Sequence, residues 1–158
     1  MMKSRPFEEL FRLTLDKNGF VDLPVVSHIE GNLYVGCSPA YWNGGQEHFL
    51  TIFNFYTWEL YPLTEGQECI AVRMYDNREV MDTETLLQYA RQVNGACEKG
   101  KTLVHCQMGI NRSNLVAALA LMLKGRSATE AISLLRERRS KWVLLNKAFE
   151  DFLLRIKL

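Results

Sequence analysis

The segment His105-Cys106-Gln107-Met108-Gly109-Ile110-Asn111-Arg112-Ser113 sets a thiol, a glycine, an arginine and a hydroxyl within one short stretch. A thiolate is a strong nucleophile, and a planar guanidinium can grip two oxygens of an oxyanion at once. The arc between Cys106 and Arg112 can curl so that successive backbone N–H groups point at one centre. Such a nest suits a dianionic phosphate, with Gln107, Met108, Gly109, Ile110 and Asn111 supplying the N–H groups and Arg112 clamping the oxygens. Gly109 would permit a torsion that a side chain forbids. The same positive field favours the thiolate form of Cys106, because helix N-termini and cations depress thiol pKa values. Ser113 can donate its hydroxyl to that sulfur, and Arg112 would hold a flattened phosphoryl transition state more tightly than the ground state. The chemistry expected is transfer of a phosphoryl group to Cys106, with no metal and no cofactor.

An isolated cysteine is more often a buried core residue, so the flanking elements decide. Thr102–His105 reads as a buried strand and Leu115 to Leu123 as a helix that is apolar all round. Ligand loops of open α/β sheets lie at such carboxyl ends of strands. Further strands are expected over 32–36, 51–56 and 69–75, and a helix over about 83–98 with Gly100 as its stop. Ser127-Ala128-Thr129-Glu130 is a capping box, and Asn146 is placed to cap a last helix whose face is Phe149, Phe152, Leu153 and Ile156. Strands alternating with helices predict an α/β fold, a central, mostly parallel sheet of four to five strands with helices on both faces.

Hydrolysis also needs a proton for the leaving oxygen. Asp76, expected at the end of the third strand, lies on the same sheet edge as the Cys106 loop and is the candidate acid. Asp82 competes, but its place just before a helix suits an N-cap.

These residues resemble the H-C-x-x-G-x-x-R-S/T signature of the protein tyrosine phosphatase superfamily, most closely its dual-specificity branch. Val26 to Gly36 is similar to the opening strand pattern of small dual-specificity phosphatases, and Leu145 to Leu153 to their closing helix. The resemblance implies a cysteine-phosphatase-like fold, Cys106 as nucleophile, Arg112 as phosphate clamp, Asp76 at the position of the family acid and His105 as a supporting residue. Three residues depart from the branch pattern. Met108 stands where Ala is frequent, and Asn114 where Pro or Gly is. Asn111 is reminiscent of members that act on RNA 5′-triphosphate ends.

The 158 residues suit a single catalytic domain over 1–158, with a core over about 25–155 and an N-terminal extension over 1–24. Nineteen Lys and Arg against 18 Asp and Glu give no broad basic surface for nucleic acid. The polar start Met1 to Pro6 lacks the apolar stretch of a secretory signal, and no apolar run is long enough for a bilayer. Scattered cysteines without a C-x-x-C pair suggest neither zinc nor disulfides, and a reducing cytoplasmic setting is expected. Cys37, Cys69 and Cys97 read as buried, with a redox partner for Cys106 left open. Trp42, Trp58 and Tyr61 can wall a pocket or pack in the core. Arg136, Arg138, Arg139 and Lys141 read as a solvated helix end, and Met122 and Phe149 as core.

The expected substrate is a phosphoprotein bearing phosphotyrosine and also phosphoserine or phosphothreonine. The alternatives are RNA 5′-phosphates, nucleotides or inositol phosphates, or a phosphate-binding module without turnover. Uncharged Gln107, Met108, Ile110 and Asn111 argue against highly charged inositol lipids.

Overall fold

The computed structural model describes residues 10–14, 20–57 and 61–158. β1 (Leu10–Thr14) and β2 (Phe20–Pro24) form an antiparallel pair within the segment expected as an extension. The main sheet has the order β3-β4-β7-β5-β6, built from β3 (Val26–Glu30), β4 (Leu33–Gly36), β5 (Thr51–Asn54), β6 (Glu68–Ala71) and β7 (Thr102–His105). Only β3 runs antiparallel; β4, β7, β5 and β6 pair in parallel, which needs crossover connections between them. This is the expected α/β fold with a mostly parallel sheet of five strands, but the α-helices, expected on both faces, share one core, with 3-10 turns beside the other.

Side-chain alternation divides the sheet into two faces. Val35, Phe53 and Val104 join one large core with α1 (Thr83–Lys99), α2 (Arg112–Leu123), α3 (Ala128–Arg138) and α4 (Lys147–Arg155). Ile52, Leu103 and Cys37 face a smaller core with Val25, Trp42 and Phe49. Short 3-10 turns at Pro39–Tyr41 and Gln46–His48 neighbour that second core. Residues Leu115 to Leu121 are fully buried, which explains why α2 is apolar on every side.

The caps follow the sequence. Ser127 and Glu130 close a reciprocal capping box at α3, and Asn146 Oδ1 accepts from the backbone N–H groups of Ala148 and Phe149 at α4. Phe149 is buried and Met122 packs at the edge of the main core. Two strands are shorter than expected. The second stops at Asn54, whose side chain turns the chain by accepting from Tyr56 N and Thr57 N. The third therefore stops at Ala71, since β5 offers no ladder beyond Asn54. Residues 72–82 are irregular, so Asp76 lies on a loop and not at a strand end.

Candidate active site

β7 delivers the chain to Cys106 and α2 takes it up at Arg112. Every carbonyl in between is tied to a partner. Cys106 O accepts from His105 Nδ1 (2.9 Å) and Gln107 O from Ser38 N (2.9 Å). Met108 O accepts from Arg139 Nη2 (2.9 Å), and Gly109 O from Arg139 Nε (2.7 Å) and Asn114 Nδ2 (2.8 Å). Ile110 O accepts from Leu144 N (2.8 Å) and Asn114 Nδ2 (3.0 Å). The described peptide bonds are all trans, so each following N–H points opposite to its tethered carbonyl. The N–H groups of Gln107, Met108, Gly109, Ile110 and Asn111 thus turn away from the tethers, as a nest requires. Leu144 donates from a left-handed conformation (φ 60°), a strained backbone over-determined by its neighbours.

Gly109 has φ 72°, and a Cβ there would lie 2.5 Å from Gly36 O and 2.6 Å from Arg139 Nη2. Both torsion and space exclude a side chain. The loop is pressed against the end of β4 and the guanidinium of Arg139.

The loop encloses a buried thiol. Cys106 is 2% exposed, and its Sγ lies 3.3 Å from the hydroxyl of buried Ser113. His105 is fully buried beside it. A carbonyl can only accept, so the bond to Cys106 O places the proton on Nδ1. Nε2 is then left to accept from Tyr61 Oη at 2.6 Å. Burial holds the His105 pKa down to about 4, which keeps this tautomer neutral.

Arg112 is the first residue of α2 and is 8% exposed. Its Nη1 donates to Met74 O (3.3 Å) and its guanidinium lies 5.2 Å over the Tyr56 ring. Its Nε is buried with no hydrogen-bond partner. A buried guanidinium donor without an acceptor is costly and implies an acceptor to come.

The structure brings Asp76 to this loop by a different route from a strand end. Asp76 Oδ2 accepts from Asn111 Nδ2 (2.9 Å) and Oδ1 from Asn146 Nδ2 (2.8 Å). Asn146 N in turn donates to Asn111 Oδ1 (2.8 Å). Together with Arg78, Lys147 and Asp151, these residues line an open cleft of about 650 Å³. Asp82 sits apart, accepting from Thr85 N and Thr85 Oγ1 (both 3.1 Å) as the N-cap of α1.

Arg139 corrects the expected solvated face. Arg138 and Lys141 are exposed, and Arg136 pairs with Glu150, but Arg139 is 6% exposed. Besides the loop carbonyls, its Nη1 donates to Pro24 O (2.9 Å), Ser27 Oγ (3.2 Å) and Val35 O (3.3 Å). Desolvation pulls its pKa down to about 10, so it stays charged at neutral pH. A basic run carries no sign of which member turns inward, because the acceptors are backbone carbonyls. Asn114, noted only as a departure, proves to be a buried bridge to the Gly109 and Ile110 carbonyls.

The remaining candidates are placed as follows. Cys37 is buried and desolvation pushes its thiol up to about 11; Cys69 and Cys97 are half-buried and shifted upward for the same reason. All four cysteines are free thiols. Trp42 packs in the smaller core and donates to Cys37 O (3.2 Å), Tyr61 serves His105, and Trp58 lies outside the described residues. Among the described residues, no helix is long and apolar enough to cross a membrane.

Comparison with known proteins bears on the fold and the family. The model of the dual specificity phosphatase catalytic domain matches residues 44–157. No curated protein matches the sequence. Among solved structures, a mouse putative dual specificity phosphatase complexed with zinc tungstate is 20% identical with a TM-score of 0.71, covering 89% of this chain and 88% of that one. Human DUSP28 is 21% identical with a TM-score of 0.72, covering 82% and 90%. The Orf virus tyrosine phosphatase OH1, described as having triple substrate specificity, is 18% identical with a TM-score of 0.63, covering 82% and 83%. At these identities the structural likeness speaks to the fold.

Proposed function

The chain belongs to the dual specificity phosphatase catalytic-domain family, and from that premise we propose that it hydrolyses phosphate monoesters in proteins through a phosphocysteine at Cys106. The substrates are phosphotyrosine and also phosphoserine and phosphothreonine. The phosphoryl oxygens sit on the N–H groups of Gln107 to Asn111 and on the fork of Arg112. The electron pair of the Cys106 thiolate forms the S–P bond as the ester P–O bond breaks. The proton of Asp76 joins the departing oxygen. Asp76, now a carboxylate, then takes a proton from water as that oxygen attacks phosphorus, the S–P bond breaks, and inorganic phosphate leaves. Ser113 stabilises the returning sulfur anion by hydrogen bonding at the 3.3 Å contact. His105 supports the loop through the Cys106 carbonyl.

The observation that carries this reading is the tethered row of carbonyls, which turns the loop N–H groups the other way, together with the unpartnered Nε of Arg112. Such a donor set lacks only an oxyanion. The uncharged loop side chains favour a singly phosphorylated group over a polyphosphate, which would call for several cations.

Cys106→Ser should abolish turnover while vanadate still binds, because a hydroxyl without a base is a poor nucleophile and the N–H nest persists. Near-normal turnover by that variant would overturn the mechanism. A panel of phosphopeptides, triphosphorylated RNA, nucleotides and inositol phosphates, assayed with the native chain, reads the substrate class. Preference for any non-peptide member would refute the protein assignment.

A further inference from the structure

We propose that Asn111 and Asn146 are positioning residues that clamp the Asp76 carboxyl, a role that rests on reading Asp76 as the proton donor. The segment 72–82 has no regular structure, and Asp76 is exposed on it. An acid on such a segment can rotate its carboxyl freely. Its effect depends on being held toward the leaving oxygen, and a positioned acid contributes roughly 10²–10⁴ in rate.

The two asparagine amides remove that freedom. Asn111 Nδ2 takes Oδ2 at 2.9 Å and Asn146 Nδ2 takes Oδ1 at 2.8 Å. A carboxyl offers two lone-pair directions on each oxygen. Gripping one on each fixes the plane and leaves another on each oxygen to carry the transferable proton. Asn146 Nδ2 also donates to Asn77 O (2.8 Å), which holds the neighbouring backbone in place. The clamp is joined to the loop itself, since Asn111 belongs to the Cys106–Arg112 arc and accepts from Asn146 N. The acid, the loop and the N-terminus of α4 thus form one hydrogen-bonded body. The other charged groups on this cleft are Arg78, Lys147 and Asp151. Lys147 is already paired with Glu150 and Asp151 (3.1 Å each), which leaves the amides as the groups seen on both Asp76 oxygens.

Asn146 does two jobs with two ends of one amide, and this allows a clean test. Its Oδ1 caps α4 while its Nδ2 holds Asp76. Serine caps helices as well as asparagine but has no amide to reach a carboxylate. Steady-state kinetics of Asn146→Ser and Asp76→Asn are measured on aryl phosphates that span a range of phenol acidity, with helix content followed by circular dichroism. Asn146→Ser should lose roughly tenfold in kcat/KM on the least acidic phenol and less than about twofold on the most acidic, since kcat/KM reports transfer to Cys106 and not the hydrolysis of a phosphocysteine common to all the substrates. Asp76→Asn should show a leaving-group dependence of the same sign and a steeper slope. Equal losses across the series for Asn146→Ser, or no loss at all, would overturn the clamp even if Asp76→Asn behaves as an acid variant. A flat series for Asp76→Asn would remove the acid and the clamp with it. Asn146→Asp also keeps the cap but sets a carboxylate against Asp76, and full activity of that variant would equally refute the proposal.

Discussion

Gly109→Ala tests the loop geometry with an internal control. The added Cβ would lie 2.5 Å from Gly36 O and 2.6 Å from both Gly36 C and Arg139 Nη2, where ordinary contact begins at 3.4 Å. Something must therefore move by roughly 0.8–0.9 Å. Gly36 is paired to Val26 on one side and His105 on the other, and Arg139 is pinned by carbonyls of three segments, so the loop yields. Alanine in the left-handed region costs about 1–2 kcal/mol. Stretching a charged hydrogen bond to Gly109 O or Met108 O adds about 1.5–3 kcal/mol. The total is about 2.5–5 kcal/mol in stability, and a loop shifted by nearly 1 Å should cost about 10²-fold in rate. Gly125 also has a positive φ (110°) but nothing within 4 Å of its Cβ, so Gly125→Ala meets only the torsional term. Urea unfolding and kcat/KM on an aryl phosphate measure both variants. If Gly109→Ala were no less stable than Gly125→Ala and kept its rate, the close packing of loop, β4 and Arg139 would be refuted.

Two other outcomes follow from buried groups. Arg139→Met should destabilise by about 2–4 kcal/mol and cut kcat/KM by at least about 10²-fold, because the carbonyls of Met108 and Pro24 cannot be replaced along with their donor; release of the desolvation that holds its pKa near 10 offsets part of the loss. Arg138→Met, on the exposed neighbour, is the comparison, and equal behaviour in unfolding and kinetics would restore the solvated-face reading. His105 is held neutral down to about pH 4 when folded against an ordinary 6.5, so the unfolded chain binds more protons between those values. Its contribution is full above pH 6.5 and falls as pH drops toward 4, by about 3 kcal/mol in all; urea midpoints from pH 7.5 to 4.5 should show this loss in the native chain and a flatter dependence in His105→Asn.

Local rules were enough wherever a residue's partners are near in sequence. The helix from Thr83, the strand Thr102–His105, the Ser127 capping box, the Asn146 cap and the glycine at 109 all rest on short-range geometry. Sequence alternation carries the third strand too far because Val72 to Met74 continue an apolar alternation, while its true end is set by Asn54 on another strand. Arg139 looked like its exposed neighbours because its acceptors lie in β4, at Pro24 and in the loop. Tyr61 and His105 are 44 residues apart, so nothing local marks them as a pair. The antiparallel strands at 10–14 and 20–24 fell inside a segment with no expected element. Position in the sequence singles out Asp76 as a candidate, while its asparagine partners are visible only in three dimensions.

The reach of Arg139 also bears on the order of assembly. It ties the loop to residues 104 to 115 positions away along the chain, at Val35, Ser27 and Pro24. Non-local contacts are rewarded only after their loop-closure entropy is lost, so these bonds are expected late in folding. On the ribosome, Cys106 emerges well before Arg139, and a nascent chain then holds the thiol without the guanidinium that orients its loop. Completion of the pocket therefore waits on the chain beyond α3, where Arg139, Leu144 and Asn146 supply the donors that hold the loop.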